Sequence, residues 1–247
     1  MTSRLTYGRY AMAKTIKTWG LTVLYGITLV WWLLDTARIK ALLVSVFGVG
    51  SPLVERTSLM ELVGQHLSLV VWSTGAAILV GFGLGLMVRL SRSQELDSLV
   101  MRFGALGETI PSAAVIALSV PLLGYGNEPI LLALFLYAIL PIVRNTISGF
   151  HSVNVDITEA AKGMGYTPLQ QVFSVELPLA LPTLMAGIRT ALVINISAAT
   201  LGATVGAGGL GVPIIAGIRT SDPVMVVMGS VPVILMALAA DRVLRSV

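Results

Sequence analysis

Few residues in this sequence are of a type and spacing that could do chemistry, and each candidate is tested by the context its chemistry needs. The string Gly206-Ala207-Gly208-Gly209-Leu210-Gly211 satisfies G-x-G-x-x-G. That pattern binds a dinucleotide only between a strand and a helix, with an acid about 20 residues further on. Here it follows a long apolar run and the next acid is Asp222, so a tightly packed, flexible turn is the better account. Gly8 to Thr15, GRYAMAKT, misses the phosphate loop G-x-x-x-x-G-K-[ST] by one glycine, with Ala13 in its place, and no strand precedes it. The chain has no cysteine and only two histidines, His66 and His151. A disulfide framework and a thiol nucleophile are excluded, and a metal centre is not expected. What remains are polar groups set in apolar surroundings. Arg189 is the one basic residue deep in an apolar run, and an ionisable group there is a functional candidate whose partner must be found. Glu108 is one candidate partner, and a tie to backbone carbonyls is the other reading. Asn145 and Asn195, with Ser197 and Thr200, are suited to lining a path or to bonding helix to helix. No catalytic residue, metal ligand set or cofactor is expected in this chain.

The elements that must position these groups follow from composition. Of 247 residues, 55% are hydrophobic and 11% charged, with a mean hydropathy of +0.89, against roughly a quarter charged in a soluble domain. A water-soluble enzyme is excluded, and so is a disordered chain, which would lack apolar residues. The sixteen Lys and Arg are scattered between apolar runs and form no stripe, so nucleic acid is not an expected partner. Crossing a bilayer takes about 20 predominantly apolar residues, and six such stretches are present: roughly 17–34, 67–88, 106–124, 128–145, 182–204 and 224–241. The expected fold is all-α, a polytopic membrane bundle of about six helices. Residues 1–63 form an N-terminal anchor helix and an external segment, and 64–247 form the main transmembrane domain. Putting the N-terminus inside assigns eleven basic residues to the cytoplasm and four (Arg38, Lys40, Arg56 and Arg219) to the outside. The positive-inside rule therefore predicts cytoplasmic N- and C-termini. Within the external segment, Ala41 to Val54 reads as surface-lying, re-entrant or a further span. Gly81 and Gly85, at helical i, i+4 spacing, are expected to let two helices approach closely.

The loop at about 146–181 is the most informative segment. Asp156-Ile157-Thr158-Glu159 has capping-box spacing, which predicts a short helix with Asp156 as N-cap. Gly163 and Gly165 end it. Thr167-Pro168 reads as the N-cap and first residue of a second short helix, running through Leu169, Val172, Phe173 and Val175 to Pro178. Ala160 and Ala161 are expected to give the first helix a flat face that another backbone can approach.

At these residues the chain resembles a family. Glu159-Ala160-Ala161, three residues, Gly165, nine residues, then Val175, Glu176, Leu177 and Pro178 look like the E-A-A-x3-G-x9-I-x-L-P loop of ABC importer permeases, departing only in Val175. Further strings resemble the osmoprotectant branch, whose members carry glycine betaine, choline or carnitine. They include TIPSAAVIAL at 109–118, LPIVRNT at 140–146, AGIRTA at 186–191 and ATLGATVGAGGLG at 199–211. The resemblance spans about 64–245. It implies a type I importer-like permease in a prokaryotic cell membrane, working with a second permease chain, a cytoplasmic ATPase dimer and an extracytoplasmic substrate-binding protein. ATP would be held by the ATPase, not by this chain. Glu159, Ala160, Ala161, Gly163 and Gly165 would form the helix that docks on the ATPase, with Leu177 and Pro178 completing the motif. Glu108, Asn145, Arg189 and Asn195 are the expected pathway residues. Only 6% of the chain is aromatic, too little for the aromatic cage that recognises a quaternary ammonium, so selectivity is expected in the binding protein. A permease for another small solute, such as an amino acid, is the nearest alternative. An ion-coupled secondary transporter is more remote, because it would want paired carboxylates in the spans.

Overall fold

A computed structural model describes residues 19–48, 58–107 and 109–245 of the chain. Among these residues all regular structure is helical: α1 (Trp19–Leu34), α2 (Thr36–Phe47), α3 (Leu59–Ser91), α4 (Gln94–Gly107), α5 (Ser112–Leu123), α6 (Asn127–His151), α7 (Val155–Gly163), α8 (Pro168–Gln171), α9 (Leu177–Ala198), α10 (Gly211–Thr220) and α11 (Pro223–Arg245). A π-helical turn, Val172–Glu176, joins α8 to α9, and a 3-10 segment, Ala199–Val205, extends α9. Pro168 to Val205 is therefore one continuous helix.

Among the described residues four helices are long and apolar enough to cross a membrane: α3, α6, the helix from Pro168 to Val205, and α11. The chain is thus a multi-pass membrane bundle with α3, α6 and α9 packed together at its centre and α11 against α9. Two shorter apolar helices, α1 and α5, bring the apolar helices among the described residues to the six expected from the sequence. α1 is apolar and covers 16 residues from Trp19, where the described residues themselves begin. The stretch expected at 106–124 is helical only over 12 residues of α5, about 18 Å at 1.5 Å per residue, which falls short of the roughly 30 Å hydrocarbon core. Pro111 starts α5, since it lacks an N–H to continue a helix from upstream. Residues 106 and 107 belong to α4, whose Glu95, Asp97 and Arg102 suit a helix with one polar face.

α3 begins eight residues earlier than expected, because Ser58 accepts a hydrogen bond from the Glu61 amide at 3.2 Å and caps it. In the external segment, α2 takes up the expected apolar stretch as far as Phe47 and stops at Gly48, which adopts a left-handed conformation. Residues 49–57, the rest of that stretch, lie outside the described residues.

Gly81 and Gly85 do what their spacing predicts. A Cβ at Gly81 would lie 2.9 Å from Ile142, and one at Gly85 would collide with Thr146, so α3 and α6 touch nearly backbone to backbone. The α6–α9 contact is made in the same way at Gly187, whose missing Cβ leaves room for Asn145 and the Pro141 carbonyl. Larger side chains fill the spaces between these contacts: Ile130, Leu134, Ile142 and Leu210 are all but fully buried.

Candidate coupling site and the polar contacts between spans

The loop between α6 and α9 is built by local rules. Asn154, not Asp156, is the N-cap of α7: its Oδ1 accepts from the Asp156 amide at 2.9 Å. Both residues are competent caps, and Val155 is already helical, so the start shifts two residues upstream and Glu159 makes no capping bond to Asp156. Glu159 and Ala160 are exposed, while Ala161 is turned inward and buried. The expected flat face shared by Ala160 and Ala161 does not form, because neighbouring helical residues point about 100° apart. The last residue of α7 is Gly163. Gly165 follows at φ +85°, and the amides of Gly165 and Tyr166 donate to the carbonyls of Lys162 (2.9 Å) and Ala161 (3.1 Å). These are the paired bonds of a Schellman C-cap, which needs a left-handed residue at the Gly165 position.

Two residues later the chain re-enters a helix as expected. Thr167 Oγ1 accepts from the Gln170 amide at 3.3 Å, and the Thr167 amide donates to Gln170 Oε1 at 2.9 Å, with Pro168 in the first turn. Contrary to expectation this helix does not end at Pro178. Pro178 has no N–H and its ring crowds the carbonyl four residues back. The ladder widens to a π turn, with the Leu177 amide reaching the Val172 carbonyl, and the helix continues into α9. Leu177 packs on Phe150, Val153, Val172 and Ala180, and Pro178 is exposed. Around α7 and α8 the apolar side chains of Ile157, Met164, Leu169 and Phe173 are exposed at the end of the bundle.

Beneath this loop lies a network that sequence reasoning missed. Glu176 is 1% exposed, yet it is a carboxylate. Arg89, at the end of α3, grips it with two hydrogen bonds, Nε to Oε2 at 2.6 Å and Nη2 to Oε1 at 2.5 Å. Gln171 Nε2 adds a third at 3.0 Å. Beside it a cavity of about 470 Å³ opens between the ends of α3 and α6, the start of α4, and α7. His151 and Asp97 face each other there at 2.9 Å. The signal in the sequence was a lone acid inside the apolar run VFSVELPLAL.

The three expected pathway residues that are described do not converge. Glu108 lies outside the described residues. Asn145 Nδ2 donates to the Pro141 carbonyl of its own helix at 2.8 Å and its Cβ abuts Gly187. Asn195 is fully buried and its Nδ2 donates to Ser73 Oγ (3.1 Å) and Thr74 Oγ1 (2.9 Å), stitching α9 to α3. Arg189 pairs with Asp241 of α11 at 3.5 Å, and Asp241 also holds Arg245 at 3.2 Å. All three described residues thus serve contacts within or between helices. The exposed polar face of α9 and its 3-10 extension lies elsewhere: Thr190, Ser197 and Thr204 are exposed at seven-residue spacing, and no large apolar side chain is exposed between Leu181 and Val212. α3 differs, exposing Leu67, Val71, Trp72 and Leu79, as a lipid-facing helix does.

At the opposite end the glycine string forms the packed turn expected of it. Gly206, Gly208 and Gly209 have positive φ. Gln65 Oε1 accepts from the Gly209 amide at 2.9 Å, and His66 Nε2 meets the Ile196 carbonyl at 2.9 Å. The turn is thereby held to the start of α3.

Residues 77–247 match the family model described as binding-protein-dependent transport system inner membrane component. The chain is 41% identical over 181 residues to the glycine betaine/carnitine/choline transport system permease protein OpuCB of Bacillus subtilis, covering 73% of this chain and 82% of that one. It is 40% identical over 192 residues to the osmoprotectant import permease protein OsmW of Salmonella typhimurium, covering 76% and 88%. Among solved structures, a chain of the MetNI methionine ABC transporter in an inward-facing conformation superposes with a TM-score of 0.63 at 24% identity, over 76% of this chain and 95% of that one.

Proposed function

Because the chain belongs to the family of inner membrane components of binding-protein-dependent transport systems, we propose that it is the membrane-spanning permease subunit of an ATP-driven importer of osmoprotectants: glycine betaine, choline or carnitine. It is a transport subunit, not an enzyme. ATP is bound and split on a separate cytoplasmic ATPase pair, and this chain holds no cofactor. An extracytoplasmic binding protein selects the solute, and a second permease chain completes the path. The protein resides in a prokaryotic inner membrane with both termini and the α7 loop in the cytoplasm.

The observation that carries this reading is the continuity of α8 with α9. α7 displays Glu159 and Ala160 outside the bundle, on a stem that is itself the foot of a spanning helix. A displacement of α7 by a closing ATPase pair is therefore applied directly to α9, whose hydroxyl-bearing face we assign to the solute path. Rigid helices then rock about a central site between inward-open and outward-open states. The solute class rests on the names of relatives near 40% identity.

A host lacking its own osmoprotectant uptake tests the solute class. Co-expression with the cognate ATPase and binding protein should restore growth at high salt when glycine betaine, choline or carnitine is supplied. Absence of rescue by all three, with uptake of an unrelated solute such as methionine, would refute the assignment.

A further inference from the structure

We propose that Arg89, Glu176 and Gln171 tie the foot of α9 to the end of α3, so that a push on α7 moves two spans as one piece. The inference rests on the reading of α7 as the helix that docks on the ATPase, and goes beyond it by naming the residues that pass the motion on.

The argument starts from a mechanical weakness. Between α8 and the body of α9 the helix is a π turn, Val172–Glu176, and such turns mark functional interruptions in an otherwise regular hydrogen-bond ladder. A load applied at α7 and α8 would bend the helix there and dissipate before reaching the membrane. Glu176 is the last residue of that turn, and its carboxylate is held by both a two-pronged guanidinium and an amide. A two-pronged arginine fixes orientation as well as distance. Glu176 is buried, and breaking the pair would strand a charge away from water, which is strongly unfavourable. The bond therefore holds through motions that a surface ion pair would not survive. On the far side of the tie, α3 is locked to α6 at Gly81 and Gly85, so a load that reaches Arg89 is shared by α3, α6 and α9. The cavity of about 470 Å³ beside the network, lined in part by Arg89, Glu176 and Thr158 of α7, gives this joint room to shift as a unit.

Arg89 and Glu176 are positioning residues in this account, and the readout must separate coupling from folding. The assembled importer in proteoliposomes, carrying Arg89→Gln, Glu176→Gln or both, is scored for permease abundance, ATPase co-purification and solute imported per ATP hydrolysed. Co-purification per permease present should stay near the parent, whereas abundance should fall most for Arg89→Gln, which leaves the Glu176 carboxylate buried without its cation, and less for the double variant. Import per ATP should fall roughly two- to thirtyfold, the span seen for residues that carry coupling. The double variant should be no worse than the poorer single one, because both remove the same bond. Parent-like import per ATP in either single variant, or losses that multiply in the double, would overturn the proposal. Should a variant fail to reach the membrane, spin labels at Ser91→Cys and Ser174→Cys in the otherwise unaltered complex ask the same question with the bond intact. Their separation should be the same with and without a non-hydrolysable ATP analogue, and a change of several ångströms would overturn the tie. A parent complex that imports nothing on ATP would overturn the importer reading as well, and so is told apart from failure of the tie alone.

Discussion

Gly163 and Gly165 stand two residues apart in the loop between α6 and α9, and the same substitution should act on them with opposite signs. A Cβ at either position meets nothing within 4 Å, so packing plays no part and the backbone alone decides. Gly163 is the last helical residue of α7, where alanine is favoured over glycine by about 0.5–1 kcal/mol. Gly165 sits at φ +85°, a conformation that costs an L-residue about 1–2 kcal/mol. The Schellman bonds to Lys162 and Ala161 hold it there. Gly163→Ala should therefore stabilise the end of α7 and Gly165→Ala should loosen it. Hydrogen exchange of the α7 amides in the membrane-embedded complex, corrected for intrinsic rates, measures both. Protection should rise for Gly163→Ala and should drop for Gly165→Ala by roughly 5- to 30-fold, the factor that 1–2 kcal/mol gives. Gly165→Val, with a branched Cβ, should be worse than alanine and Gly165→Asn milder, since asparagine tolerates positive φ. ATPase co-purification should follow the same order. Equal protection in the two alanine variants would refute the reasoning, because it would mean that φ at Gly165 does not hold the loop.

Asn154→Ala should weaken α7 by about 0.5–2 kcal/mol through loss of its cap, whereas Glu159→Ala, which removes an exposed side chain that makes no cap to Asp156, should leave exchange unchanged; equal loss of protection would contradict the assignment. Gly211→Ala should sharply lower the amount of folded protein recovered, because its Cβ would fall on the Thr200 carbonyl, while Gly83→Ala, with open space around it, should purify as the parent does. Single cysteines in this cysteine-free chain report sidedness: an impermeant thiol reagent applied outside should label Ser58→Cys and Ser221→Cys but neither Ser93→Cys nor Ser152→Cys. External labelling at position 152 would invert the arrangement.

Sequence was a good guide where structure is made locally. The turn at Gly165, the Thr167-Pro168 helix start and the four long apolar helices follow from spacing and composition over a few residues, and the structure has them. The N-cap of α7 lies two residues upstream of the expected one because Asn154 and Asp156 are equally suited to the role, and the extended backbone of Asn154 with Val155 already helical decides between them. The stretch 106–124 holds a shorter apolar helix than its composition suggests because the chain breaks at Pro111. What no local rule reveals is which polar groups meet across the bundle. Arg189 finds Asp241 on α11 instead of an acid nearer in sequence. Glu176 finds Arg89, 87 residues away, because the Gly81–Gly85 contact sets how α3 lies against α6 and so where its end emerges. A lone buried carboxylate in an apolar run is a signal that a partner exists. It does not say which one.

The central claim is that ATP hydrolysed elsewhere drives solute through this chain. Uptake of labelled glycine betaine into proteoliposomes tests it most directly, comparing the permease alone with the complex of permease, ATPase and binding protein, with ATP supplied on the ATPase side. Accumulation is expected only in the full complex with ATP, and it should vanish with a non-hydrolysable analogue. Robust accumulation by the permease alone, driven by a sodium or proton gradient without ATP, would contradict the account and make the protein a secondary transporter.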